Sequence, residues 1–292
     1  MKTYVVDQNV MRKKRLRELI ADEPDSFFIV PEASLLEMCK SQNWEGTMRP
    51  SFAHFSFVGN RAFVTLTVDK AITYELDQLI PVTVQELVNI ELTSFVQSLI
   101  DELSSSGRPG ASMAWISSNF TEMFARLQAN ELNATLAKER VTEKVELLKK
   151  GLKKEVVKAL RNHQYPQYRL ALIGAMAEDY VVDHLLAKKI SPPDAFTFIL
   201  GKPMVLRSAI LSIRHVLDWM IMSGLDGALP ERELNNLFDM EYALSASYFD
   251  DLITEDQGAV DAYTDLKEIL EMRTEARIII MNKTLTEIGA IP

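Results

Sequence analysis

The stretch TYVVDQNV, residues 3–10, sets the reading of the fold. A short run of β-branched and aromatic residues, the signature of a buried strand, passes directly into a carboxylate at Asp7 and an amide at Asn9. A charge beside a buried strand is costly unless it is paired or solvated, so Asp7 is either an exposed or capping residue at the strand's end or a member of a site. The next 70 or so residues continue in alternation. KKRLRELIAD reads as a helix, SFFIVP as a second strand closed by Pro31, EASLLEMCKS as a second helix, and RAFVTLTV as a third strand before a helix through DKAITYELDQL. A β-α-β-α order of this kind implies a parallel sheet in an α/β fold.

From 81 to 234 the pattern is helical throughout. TVQELVNIELTSFVQSLIDEL reads as one broad buried stripe, SSSGRPGAS at 104–112 as a flexible loop, and the chain from Ser118 to the YPQY break near 165 as one very long helix. Alternation returns after 234: NNLFDMEYALSASYF is helical, LITED a short strand, QGAVDAYTDLKEILEMR a helix, and ARIIIMN a last strand. The expected organisation is one α/β core in two parts, 1–80 and 235–292, interrupted by an all-helical insertion at 81–234.

Of the 292 residues, 47% are hydrophobic, which suffices for a substantial core. The single Cys39 cannot form an internal disulfide, no secretory leader precedes the first strand, and no apolar run approaches the roughly 20 residues that cross a bilayer. A cytoplasmic protein without a membrane partner is expected. A net charge of −9 argues against a wholly basic nucleic-acid surface and leaves two local basic clusters, RKKRLR at 12–17 and KKGLKK at 149–154. The four histidines show no zinc spacing, and neither a phosphate-binding glycine loop nor a dinucleotide fingerprint occurs.

In open parallel sheets, ligands sit outside the carboxyl ends of the strands. Asp7 ends the first strand and Asp256 the LITED strand, Glu37 lies in the helix after the second strand, and Asp239 begins a helix leading toward Asp256. Four carboxylates drawn together repel one another unless protons or cations intervene. Mg²⁺ or Mn²⁺ resolves the conflict with hard oxygen ligands and can activate water beside a phosphodiester. Asn9, two residues along an extended segment from Asp7, would project to the same side and orient that carboxylate or a metal-bound water. Glu32 and Glu255 are the nearest rivals to Glu37 and Asp256. Asp251 belongs to the other end of its strand, and Glu241 points elsewhere on its helix.

The elements VVDQNV, VPEASLLEM and DMEYALSASYFDDLITED, in this order, resemble the PIN-domain nuclease family. The resemblance covers the two alternating parts and implies a three-layer domain with a central parallel sheet. It also implies an endoribonuclease with Asp7, Glu37, Asp239 and Asp256 as the acidic, metal-binding quartet and Thr254 as the threonine of the T-x-D element. Its expected cofactor is Mg²⁺ or Mn²⁺ and its expected substrate RNA, with DNA not excluded. Many relatives are toxins restrained by a small protein, so the insertion would replace or receive an inhibitory or scaffold partner, and homo-oligomers fit as well. Independently of the resemblance, Lys149, Lys150, Lys153 and Lys154 of the KKGLKK run are the candidate RNA contacts in the insertion, against the alternative of a solvated helix face or a protein contact. Two other readings compete: a non-catalytic PIN-like interaction module, favoured by the acidic charge, and a phosphatase of the haloacid dehalogenase type. The phosphatase requires D-x-D where this chain has Asp7-Gln8-Asn9.

Overall fold

The computed structural model describes residues 1–40, 43–53, 55–104, 110–129, 133–162, 165–222 and 229–290; His54, His163 and most of the expected SSSGRPGAS loop, at 105–109, lie outside them. In chain order the elements are β1 (Thr3–Val6), α1 (Lys14–Asp22), β2 (Phe27–Val30), α2 (Glu32–Met38), α3 (Trp44–Ala53), β3 (Ala62–Val64) and α4 (Val68–Gln78). Helices alone run on from there: α5 (Val84–Leu87), α6 (Ile90–Ser104), α7 (Ala111–Ala129), α8 (Ala134–Gly151), α9 (Lys154–Arg161), α10 (Pro166–Ala187), α11 (Pro192–Leu200), α12 (Met204–Ile221) and α13 (Pro230–Ala246). The chain closes with β4 (Asp251–Ile253), α14 (Gln257–Glu271) and α15 (Thr274–Glu287).

The four strands form one all-parallel sheet in the order β3-β2-β1-β4, with Val5 opposite both Ile29 and Leu252. Successive side chains of a strand point to opposite faces. Tyr4, Val6, Phe28 and Val30 join a core with Leu16, Ile20, Phe52 and Phe55. Val5 and Ile29 alternate to the other face and are also buried. Both faces are therefore covered, as a parallel sheet requires. The fold is α/β with a large helical complement. Strand order also locates a crevice, since β2 and β3 are laid on one side of β1 and β4 on the other. The carboxyl ends of β1 and β4 thus flank a topological switch point, the place where open α/β sheets leave room for a ligand.

Two compact units divide the chain, one of residues 1–71, 82–133 and 234–263, the other of 72–81, 134–233 and 264–292. This departs from boundaries at 80 and 234 in three places: 72–80 and 264–292 fall with the helices, and 82–133 with the sheet. Val96, Leu99 and Ile100 of α6 and Met113, Ile116 and Phe120 of α7 enter the core of the sheet-bearing unit, so the first third of the expected insertion belongs with the sheet. In the second unit α10 packs against both α12 and α15, which ties the C-terminal residues to the helices.

Three expected elements are corrected. ARIIIMN is not a strand but part of α15, whose Ile278 and Ile279 are exposed rather than sheet-buried. The helix ends at Gly289, at φ 69°, with Gly289 N–H donating to Thr286 O and Ala290 N–H to Leu285 O, a glycine-terminated helix stop. The single long helix from 118 is three helices, α7 to α9, with α8 closing at Gly151. The 83–103 stripe is broken because Val88 bridges Thr65 and Asn89 N–H donates to Val64 O, which lends residues 87–89 to the sheet's edge; Asn89 Oδ1 then caps α6 at Leu92 N–H. Among the described residues no single helix is long and apolar enough to cross a membrane.

Candidate functional site

Asp7 is the first residue past β1, and its N–H still donates to Ile253 O in the ladder with β4, at 3.0 Å. Its side chain is held from two sides. Oδ2 accepts from the Thr254 hydroxyl at 2.6 Å and Oδ1 from the Asn9 backbone N–H at 2.9 Å. The second contact is a side-chain turn, so residues 8–12 curl away rather than run extended. This corrects the expected role of Asn9: its backbone, not its amide, fixes Asp7. Asp7 is 1% exposed, and burial raises its pKa, with Glu37 and Asp256 adding to the rise and the two hydrogen bonds opposing it.

Thr254 works twice. While donating to Asp7, its Oγ1 accepts from Asp256 N–H at 2.9 Å, which fixes the T-x-D turn after β4. Asp256 then caps α14, Oδ1 accepting from Gly258 N–H at 2.7 Å and Ala259 N–H at 3.3 Å. A Cβ on Gly258 would lie 3.0 Å from Asp256 Oδ1 and 3.8 Å from Asp239 Oδ2. A side chain here would crowd Asp256 and sit in ordinary contact with Asp239, so the glycine lies beside both carboxylates.

Asp239 does not begin its helix but sits in the third turn of α13. Three residues on, Tyr242 shares its face. The buried Tyr242 hydroxyl donates to Glu37 Oε2 at 2.8 Å and accepts from Gln8 N–H at 3.2 Å, tying α13 to α2 and to the turn after β1. Burial, then Glu37 and Asp7, push the Tyr242 pKa well above its ordinary value. The Glu37 Oε1 atom pairs with Lys40 at 3.0 Å, and Lys40 also donates to Asn235 Oδ1 at 2.8 Å and lies over the Phe238 ring at 4.3 Å. Asp239 is pushed up to about 7, first by burial and then by Asp256, Asp7 and Glu37 in turn, with Lys40 pulling the other way. Asp239 therefore feels all three of the other expected carboxylates, and Asp7 feels Glu37 and Asp256.

The rivals fall elsewhere. Glu32 pairs with Lys70 at 3.5 Å, and with Asp69 it surrounds Glu241, which burial and these two carboxylates push up to about 7. Glu255 pairs with Lys13 at 3.0 Å, and Asp251 opens β4 at the far end from Asp256. Cys39 is buried and its thiol rises to about 11, the behaviour of a packing residue. Of the four insertion lysines, Lys149 pairs with Glu146 at 2.7 Å and Lys153 donates to Ala290 O at 2.9 Å, while Lys150 and Lys154 are exposed. Sequence reasoning misses Tyr242 and Lys40; their signal is the i+3 spacing from Asp239 and Glu37.

Among the described residues no group of three or more His, Cys, Asp or Glu side chains is arranged to hold a metal ion. The donor chemistry nonetheless fits a hard divalent cation that keeps several of its waters: every acid is a carboxylate, and Asp239, the most perturbed, carries the repulsion that a cation would relieve. Compared with known family models, curated proteins and solved structures, the chain finds no match.

Proposed function

We propose that the protein is a metal-dependent endonuclease of PIN-like type that cleaves RNA at the carboxyl ends of β1 and β4. One observation carries the reading: Asp7, Glu37, Asp239 and Asp256, from four separate segments, gather near the topological switch of a parallel sheet, where burial first and then the neighbouring acids raise Asp7 and Asp239. These four residues would hold Mg²⁺ or Mn²⁺, and such a cation, when bound, polarises water and offsets charge on a phosphodiester. The chain's own contribution is arrangement. Thr254 and the Asn9 N–H lock the rotamer of Asp7, Tyr242 sets Glu37 relative to α13, and Gly258 keeps the approach to Asp239 and Asp256 open. Lys40 places an ammonium at Glu37, a group able to meet a phosphate oxygen.

The same Lys40–Glu37 pair favours the second reading, a non-catalytic interaction module, because it occupies one of the four acids. A labelled single-stranded RNA incubated with protein and Mn²⁺ separates the two. Cleavage is expected, stopped by EDTA and reduced in Asp7→Asn by more than about a hundredfold, since even outer-shell partners of a metal are worth about 10- to 100-fold. No cleavage of RNA or DNA by the wild-type chain, under any divalent cation, would leave only the module.

A further inference from the structure

Five residues beyond Asp7 the chain opens an exposed recess of about 570 Å³, lined by Asn9, Arg12, Lys13, Glu255 and Asp256. Asp256 belongs both to this recess and to the acid cluster, so the two adjoin at that residue. Their charges differ. Lys13 and Glu255 cancel each other at 3.0 Å, and Asp256 Oδ1 is already engaged by two backbone N–H groups at the start of α14. Arg12 has no ion-pair or hydrogen-bond partner among the described residues, in a chain where acids outnumber Lys and Arg by 41 to 32. An exposed guanidinium left unpaired in so acidic a protein, at the mouth of a polar recess, is placed to take an anion from outside the chain.

We propose that this recess is a phosphate-binding subsite, in which Arg12 takes the backbone phosphate next to the one at the four acids and Asn9 adds an amide. The substrate is then a polynucleotide strand rather than a mononucleotide, because only a strand offers phosphates to both places. Arginine suits the role: its planar fork meets two oxygens of one phosphate, where a lysine offers a point charge. It is the RKKRLR cluster, through its first residue, that serves the site. The proposal rests on the phosphodiesterase reading of the acid cluster, and its test keeps the two apart.

The probes are a fluorescein-labelled single-stranded 12-nucleotide RNA and the mononucleotide UMP, with Mn²⁺ present and a Glu37→Gln background to suppress turnover. Adding Arg12→Gln should weaken RNA binding about tenfold, the scale of one charge-assisted contact, and reduce the slope of log K against log salt by about 0.7. Arg12→Lys should recover part of the affinity. UMP affinity should not change, and Lys13→Gln should cost less than Arg12→Gln, since Lys13 already has Glu255. Arg12 is exposed, so the variants should melt with the parent. Unchanged RNA affinity and salt slope in Arg12→Gln, with RNA still bound and the wild type still cutting, would overturn the subsite alone. Equal loss for RNA and UMP would also overturn it, by making Arg12 part of the acid site. Failure of the wild type to cut any strand would overturn the phosphodiesterase reading, and the subsite with it.

Discussion

The two units treat buried charge in opposite ways. In the helical unit every prominent buried or half-buried acid has its partner. Asp265 accepts from Arg214 at 2.6 Å and Arg169 at 3.0 Å, Asp218 from Arg169 at 2.6 Å, Glu178 from Arg277 at 2.6 Å, and Glu233 meets His215 at 2.8 Å. Glu75, fully buried, accepts from the backbone N–H groups of Met204 and Val205 that open α12. In the sheet-bearing unit, by contrast, four carboxylates gather with a single lysine among them in the described residues, and Asp239 is raised to about 7. Charges in the helical unit are complementary within the chain; at the sheet Asp239 sits among three other acids with Lys40 as the one opposing charge named at it. Unmatched charge retained at a strand-end crevice marks function more specifically than charge itself does.

Removing an acid should accordingly have opposite signs in the two units. The largest effect is expected for Asp265→Ala, which strips two arginines of their shared carboxylate and should cost about 3 kcal/mol in urea unfolding, the scale of a broken buried ion pair. Asp239→Asn should do the reverse, stabilising the metal-free protein by about 1–2 kcal/mol through relief of desolvation and repulsion. A destabilising Asp239→Asn would erase the contrast between the units. The same contrast appears on titration. Because the folded state raises Asp239 above its unfolded value, it holds that proton more tightly, so metal-free stability should increase as pH falls from 8 through about 7 toward 6. Urea midpoints at pH 8 and pH 6 read this directly, and Asp239→Asn should flatten the trend. A smaller effect sharpens the geometry: Tyr242→Phe removes the donor to Glu37 and should lower Mn²⁺ affinity by about 10-fold while shifting stability by about 1 kcal/mol.

Much of the sheet and most of the site are legible in the residues because they rest on local signals. TYVV and FFIV stop at Asp7 and Pro31, and the acids follow strand ends or lie in the helices beside them. The illegible part depends on packing. The three isoleucines of ARIIIMN carry strand propensity, yet they lie in a helix ended by Gly289, and propensity in a short apolar run does not distinguish the two. The stripe at 83–103 has helical periodicity throughout, and only the pairing of Val88 with Thr65 breaks it. Asp239 reads as a helix start because an acid suits a first turn, whereas α13 begins nine residues earlier at Pro230. The Asn9 backbone turn and the Tyr242 link are three-dimensional contacts between segments, with no trace in spacing beyond the i+3 positions.

On the proposed reading, the four acids form a site that a divalent cation completes. Thermal melts of the wild type, Asp239→Asn and Asp265→Asn over a Mn²⁺ series test it most directly, since a ligand that binds the folded state raises its melting temperature with concentration. The wild type and Asp265→Asn, whatever their starting stabilities, should both climb with Mn²⁺, and Asp239→Asn should start higher and stay flat. Parallel climbs in all three, or no climb in the wild type, would mean that the four acids hold no cation.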